Sequence, residues 1–251
     1  MIQLSAVIIT FNEEKNITRC IQSLKAVADE ILVVDSFSTD GTKDICENLK
    51  VKFVQHKFEG HIEQKNFAAS QAAFPIVLSL DADECLSDDL KKSILLVKNN
   101  WLSDGYFMNR RNNYCGRWIK HCGWYPDKKL RLWNRNKGKW MGENPHDEFR
   151  MNENSTIGFL KGDLLHYTIN SEAEHIKQIE KFTDIASQQM FIKHQSATWG
   201  FTYLSTFFRF VKDYFFRLGF LDGYYGFVIC KNNALYNYFK YAKLIKLNSA
   251  Q

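Results

Sequence analysis

Ile76-Val77-Leu78-Ser79-Leu80-Asp81-Ala82-Asp83-Glu84 is the stretch on which the fold turns. A short, almost wholly aliphatic run stops abruptly at two carboxylates one residue apart. A run of that kind predicts a strand buried on both faces, as in a parallel sheet covered by helices. Leu4–Thr10, Ile31–Val34 and Val51–Val54 read the same way, and the second closes on Asp35. Between them the spacing changes to that of helices. Ile17, Cys20, Ile21 and Leu24 fall at i, i+3, i+4 and i+7 behind Asn12, a candidate cap. Further helices are expected from about Gly41, with Ile45 and Leu49 inward, over Ile62–Ala73, and after Ser87, whose first turn holds Asp88 and Asp89. Four strand–helix units in succession predict an α/β fold with a mostly parallel central sheet and right-handed crossovers.

After Asp104 the rhythm breaks. Gly105–Arg111, Lys129–Asn134 and Ser155–Leu160 read as strands separated by irregular segments, and Glu172–His194 as a long helix. The expected organisation is a domain over residues 1–170 and a helical extension over 171–251. That extension is unusual in composition. Residues 197–251 carry seven Lys or Arg against two Asp, the whole net excess of +5, and 17 of the 37 aromatic residues. The six cysteines are scattered and read as free thiols. The N-terminus has neither a basic region nor a signal-type apolar run, and no uncharged span is long enough for a bilayer, so a cytoplasmic protein is expected.

In an open α/β sheet ligands bind beyond the carboxyl ends of the strands. Three polar clusters fall at such ends: Thr10-Phe11-Asn12-Glu13, Asp35-Ser36 with Asp40-Gly41-Thr42, and Asp81-Ala82-Asp83-Glu84. Asp81 and Asp83 would repel each other unless a cation lay between them or one took up a proton. Hard oxygen ligands suit Mg²⁺ or Mn²⁺, which leave positions for substrate phosphates. The same pair also reads as loop or capping acids, and Asp35 either as an acceptor for a base or ribose or as a cap for its own turn-rich loop. No G-x-G-x-x-G or Walker A loop is present, which argues against a dinucleotide oxidoreductase or a P-loop NTPase.

Ser5–Glu14, Ile31–Ser36 with Ser38–Thr42, and Leu78–Glu84 together resemble the successive signatures of the family 2 glycosyltransferases of GT-A fold, a Rossmann-like sheet flanked by helices. At full length the chain resembles the lipopolysaccharide core glucosyltransferases of the WaaE/KdtX type. The segments behind that likeness are Gln64-Lys65-Asn66, Lys129–Trp133, Trp140-Met141-Gly142 leading to His146-Asp147-Glu148, and Gly219–Gly223. The resemblance implies an inverting transfer of a hexose, glucose from UDP-glucose in the first instance, to a lipid-linked glycan such as lipopolysaccharide core. Another surface polysaccharide, a glycoprotein glycan, or sugar-nucleotide synthesis are the alternatives.

The resemblance also implies roles. Thr10, Asn12 and Glu13 would line the nucleotide pocket, and Asp35 would meet the uracil or ribose. Gln64 and Lys65 would lie near the donor; by their own chemistry Arg131 and Lys65 read either as phosphate contacts or as surface salt bridges, and His146 shares with Asp147 a loop that suits an acceptor site. Asp81 and Asp83 together would hold the ribose edge and the metal-bound diphosphate, both as metal ligands, and His166 reads either as a further ligand or as a structural histidine. Asp147 is the expected base, with Glu148 and Glu143 as alternatives. Phe37 stands where a small residue, often Gly, is usual.

The basic, aromatic tail has two readings. One is an interfacial helix on the inner membrane, with Arg209, Asp213 and Arg217 as one polar stripe. In the other, its aromatics pack on the main domain or in a dimer. Nucleic acid is not an expected partner, because paired acids at the sheet edge repel phosphate unless metallated.

Overall fold

The computed structural model describes residues 1–143 and 146–249; the side chains of Glu143 and His146 lie outside the described ones. The chain folds as two compact units, Met1–Arg110 with Asp127–His166, and Arg111–Pro126 with Tyr167–Gln251.

The first unit holds the sheet. Strands β1 (Leu4–Thr10), β2 (Glu30–Asp35), β3 (Lys52–Gln55) and β4 (Ile76–Asp81) are its parallel half, in the order β3-β2-β1-β4. Helices α1 (Ile17–Leu24), α2 (Thr42–Asn48) and α3 (His61–Ser70) connect them. The strands are apolar on both faces because both are covered: Leu4, Ala6, Ile8, Leu78 and Leu80 pack in one core cluster, and Val7, Leu32, Val34 and Val77 in another. α1 starts after Asn16, not Asn12, and the Asn16 side chain makes no capping bond. Asn12 instead sits at φ 54°, the left-handed region that Asn tolerates, and ties two loops together. Its amide N–H donates to Ser38 Oγ at 2.8 Å and its Oδ1 accepts from Thr39 N at 2.8 Å.

The other half is antiparallel. β5 (Glu84–Leu86) follows β4 after a two-residue turn, and α4 (Asp88–Asn99) starts on the Ser87 cap, as its sequence predicts. Then come β6 (Gly105–Tyr114), β7 (Arg117–Trp118), β8 (Asp127–Asn134), the hairpin β9 (Gly138–Glu143) and β10 (His146–Met151), and β11 (Ile157–Ile169). Beyond β4 the sheet continues β8-β6-β11-β5. The pairs β4–β8, β8–β6 and β11–β5 all run antiparallel. Gly162 lets β11 pass the start of α4. A Cβ there would lie 2.3 Å from Leu90 N, and the backbone is at φ +96°, a conformation Gly adopts freely.

The second unit is built on α5 (Glu172–Ile192), α6 (Trp199–Val211) and α7 (Gly223–Ser249), with a π-helical turn at Lys212–Phe216 and a 3₁₀ turn at Gly219–Asp222. Its core gathers Tyr114, Ile119, Cys122, Ile169 and Ile229. Within that core His175 Nδ1 lies 3.1 Å from Tyr114 Oη and 2.9 Å from Asn232 Nδ2, and burial pushes its imidazole down to about 4. Arg209, Asp213 and Arg217 do form one polar stripe, as their spacing predicts, but it turns inward at Asp213. Asp213 is fully buried, and the two arginines and Asn233 converge on its carboxylate at 2.7–3.0 Å.

Candidate functional site

Strand register decides where the polar clusters meet. Thr10 pairs with Asp35 and Ile9 with Asp81, so β1, β2 and β4 end at one rim. A cavity of about 350 Å³ opens there. Thr10, Glu13, Gln64, Lys65, Asp81, Asp83, Asp147 and His166 line it, all expected from the sequence. Phe11, Ser36 and Ala82 of the strand-end clusters line it too, and Phe58 and His61 join them without having been expected. Asn12 and Asp35 are not among its lining residues. Asp35 is fully buried and accepts from Ser38 N at 2.9 Å, from Ser38 Oγ and from Gln55 Nε2, which is the loop-capping role. Phe37 occupies the left-handed region at φ 62°, a conformation that Gly adopts more freely.

Each lining residue is held by backbone that the sequence specifies. Gln64, on α3, takes His56 Nδ1 on Oε1 at 2.8 Å and donates from Nε2 to Ser36 Oγ at 3.0 Å. It therefore clamps α3 to the ends of β2 and β3. Two residues on, Asn66 exchanges two 3.0 Å bonds with the backbone of Trp140. That exchange docks the β9–β10 hairpin on α3 and brings Asp147 to Lys65. Lys65 Nζ lies 2.8 Å from Asp147 Oδ2 and 3.2 Å from Asp81 Oδ1, above the Trp140 ring. At the other end of the cavity β11 pairs His166 with Glu84, and His166 Nε2 comes to 3.1 Å from Asp83 Oδ2.

Arg131 binds the second oxygen of Asp81 at 2.9 Å and Glu84 Oε1 at 3.1 Å. Glu84 also accepts from Asp81 N at 3.0 Å and faces Arg110 Nη1 at 3.6 Å. Burial pushes the Asp81 carboxyl up, but Lys65 and Arg131 more than offset it and hold it well below the usual carboxylate range. The like charges anticipated in the sequence are thus balanced for Asp81 by two protein cations. Glu13 is raised, first by burial and then by the neighbouring acids, against a lowering bond from Asn16.

Glu84 and Arg110 are structural residues of the site that the sequence reading left out. Glu84 stood in the quoted cluster, but nothing in the spacing shows that two arginines from β6 and β8 come opposite it. Arg131→Met is expected to cost about 3–5 kcal/mol in denaturant unfolding, because Asp81 and Glu84 lose their shared cation. Adding Glu84→Gln should return part of that loss. A cost below about 1 kcal/mol, typical of surface pairs, would contradict the buried network.

A second cavity of about 570 Å³ lies on the far side of Lys65, Asp81 and Asp147, which line both. Phe107, Arg110, Lys128, Lys129, Trp140 and Glu148 are among its walls. Glu148 is more than half exposed and binds Arg150 Nε at 2.6 Å. Glu143 and His146, two further candidates, have no described side chains; their backbones pair across the hairpin.

Among the described residues no three His, Cys, Asp or Glu side chains form a metal-binding group. Two donors do fit one ion. Octahedral Mg²⁺-type ligands at about 2.0–2.1 Å place neighbouring donors about 3 Å apart, and Asp83 Oδ2 and His166 Nε2 are 3.1 Å apart. No helix among the described residues is long and apolar enough to cross a membrane.

The model for glycosyl transferase family 2 matches residues 5–152. An uncharacterized glycosyltransferase of Rickettsia typhi is 29% identical over 98% of this chain and 87% of its own length. The lipopolysaccharide core biosynthesis glycosyltransferase LpsC of Rhizobium meliloti is 29% identical over 96% of this chain and 91% of its own. Among solved structures, S. aureus TarS 1–349 in complex with UDP-GlcNAc aligns over 99% of this chain and 92% of that one, with 18% identity and a TM-score of 0.49. The family model spans more than half of the chain, including all three strand-end clusters: the chain belongs to glycosyltransferase family 2 and has the GT-A α/β sheet with a C-terminal helical extension.

Proposed function

We propose that the protein transfers a hexose, glucose from UDP-glucose in the first instance, to a hydroxyl of a lipid-linked glycan such as lipopolysaccharide core, with inversion. The observation that carries this reading is the pair of cavities meeting at Lys65, Asp81 and Asp147. A donor in the first and an acceptor in the second would bring their reacting atoms to Asp147. Family membership supports the reaction type, and the printed role of LpsC in core biosynthesis supports the acceptor class.

Within this reading catalysis belongs to the first unit, and the helical segment after residue 170 is an appendage to it. Thr10 and Glu13 line the nucleotide end, with Asn12 and Asp35 shaping the loops behind them. Asp83 and His166 would hold Mg²⁺ or Mn²⁺, with Asp81 beside them and the remaining positions left to phosphate and water. A cation bound there supplies positive charge against the departing diphosphate. Lys65 fixes the position of Asp147 and, with Arg131, keeps Asp81 ionised. Asp147 takes the proton from the attacking hydroxyl. The reaction is placed in the cytoplasm, against the inner membrane.

Calorimetric titration of UDP tests the reading. Binding is expected in Mn²⁺ and is expected to be lost in chelator. No UDP binding in either condition would remove the donor assignment. UDP-sugars and GDP-sugars screened for hydrolysis under the same conditions then identify the hexose.

A further inference from the structure

The helix pair α6–α7 is built inside out. A helix in water turns its polar side outward and buries its apolar stripe. On α6 the exposed face carries Phe201, Leu204 and Phe208 at i, i+3 and i+7, and Trp199, Tyr203 and Phe207 at i, i+4 and i+8. Tyr203 and Phe207 are each 60% exposed. The inward face carries Thr202, fully buried, and Ser205, whose Oγ accepts from Asn237 Nδ2 of α7 at 3.0 Å. Farther along, Asn233 of α7 reaches the buried Asp213 at 3.0 Å. Polar side chains therefore lie between the two helices, and although Phe201 and Tyr203 touch Tyr241 and Tyr238 of α7, both stay more than half exposed.

The exposed apolar surface continues past α6. The π-helical turn ends in Phe215 and Phe216, the latter 81% exposed, and Phe220, Leu221 and Tyr224 extend the same run. Contiguous exposed apolar surface of this extent marks an interaction site. Its surroundings are basic. Lys212 and Arg217 are exposed beside Phe216, while Asp213 is buried beneath Arg209 and Arg217, and the acid Glu172 borders the run only at its Tyr224 end. A second copy of the chain is a poor fit, because a two-fold contact would bring two faces of the same positive excess together.

We propose that Trp199–Tyr224 is a membrane-docking surface that lies in the headgroup region of a bilayer bearing anionic lipid. The aromatic face would enter to the headgroup–acyl boundary, with Trp199, Tyr203 and Tyr224 at the depth such side chains favour and Lys212 and Arg217 on the anionic headgroups. At 13 residues α6 is about 20 Å long, suited to lying in the interface rather than crossing it. This surface shares no residue with the cavities at Lys65, so its test does not depend on the transferase reading.

The experiment is cosedimentation of the full chain with vesicles of phosphatidylethanolamine and phosphatidylglycerol, and with vesicles of phosphatidylcholine alone. Binding is expected to the first, about tenfold or more weaker to the second, and to fall at high salt. Phe207→Glu with Phe216→Glu should reduce binding at least about tenfold. Both positions are exposed, so circular dichroism and UDP binding should match the unsubstituted protein. Lys212→Glu, which spares the aromatic face, should weaken binding to the anionic vesicles and leave that to phosphatidylcholine unchanged. Equal sedimentation of the double variant and the unsubstituted protein would overturn the proposal. So would a dimer broken by the same double substitution in a protein that binds neither vesicle.

Discussion

Asp147→Asn is expected to lower hexose transfer by about 10²–10⁴-fold in turnover while metal-dependent UDP binding stays as it was. The expectation follows from where Asp147 sits. It lies in both cavities, 2.8 Å from Lys65, on a hairpin fastened to α3 by Asn66. Asparagine keeps the shape and can still accept a hydrogen bond, but it cannot take a proton. The loss should therefore appear in kcat and not in the donor KM. Its neighbour Glu148 also borders the second cavity, but it is more than half exposed and is engaged by Arg150. Glu148→Gln should consequently leave turnover near normal. If steady-state kinetics show the reverse order, with Glu148 indispensable and Asp147 dispensable, the base assignment passes to Glu148.

Asp83→Ala is expected to reduce transfer about 10³-fold, the equivalent of several kcal/mol of charge stabilisation. Its effect differs in kind from that of Asp147. Asp81 already has two protein cations on its oxygens, whereas Asp83 faces His166 and the open cavity. Asp83 is thus the carboxylate with capacity for an added ion. Its loss should weaken UDP binding in Mn²⁺ and make what remains insensitive to chelator. His166→Ala should move the same two quantities in the same direction. Retention of transfer within roughly tenfold in Asp83→Ala, with the metal response intact, would place the ion elsewhere.

The parallel half of the sheet was legible because its strands are buried on both faces and so read as unbroken apolar runs, each stopping at a polar cluster. The antiparallel half was less so. β9 reads Gly-Lys-Trp-Met-Gly-Glu, with no clean alternation, yet it carries Trp140 under Lys65 and Arg131. Long-range pairs were out of reach of spacing altogether. Lys65 meets Asp147 across 82 positions and His166 meets Asp83 across 83. Most of those residues were assigned roles through family resemblance; Glu84 stood in the strand-end cluster without a role, and Arg110, which no motif marks, was not found. In the tail, composition announced aromatics and cations, but which face each took depended on α7. Asp213 reads as a surface charge by spacing, although three side-chain donors draw it fully inside.

One measurement bears on the whole account: a crystal structure with UDP and Mn²⁺. The account predicts the diphosphate in the cavity between Thr10 and His166, with the metal touching Asp83 and His166 and the Lys65–Asp147 pair on the side where the sugar ends. Nucleotide bound away from the ends of β1, β2 and β4, or a metal that touches neither Asp83 nor His166, would contradict it.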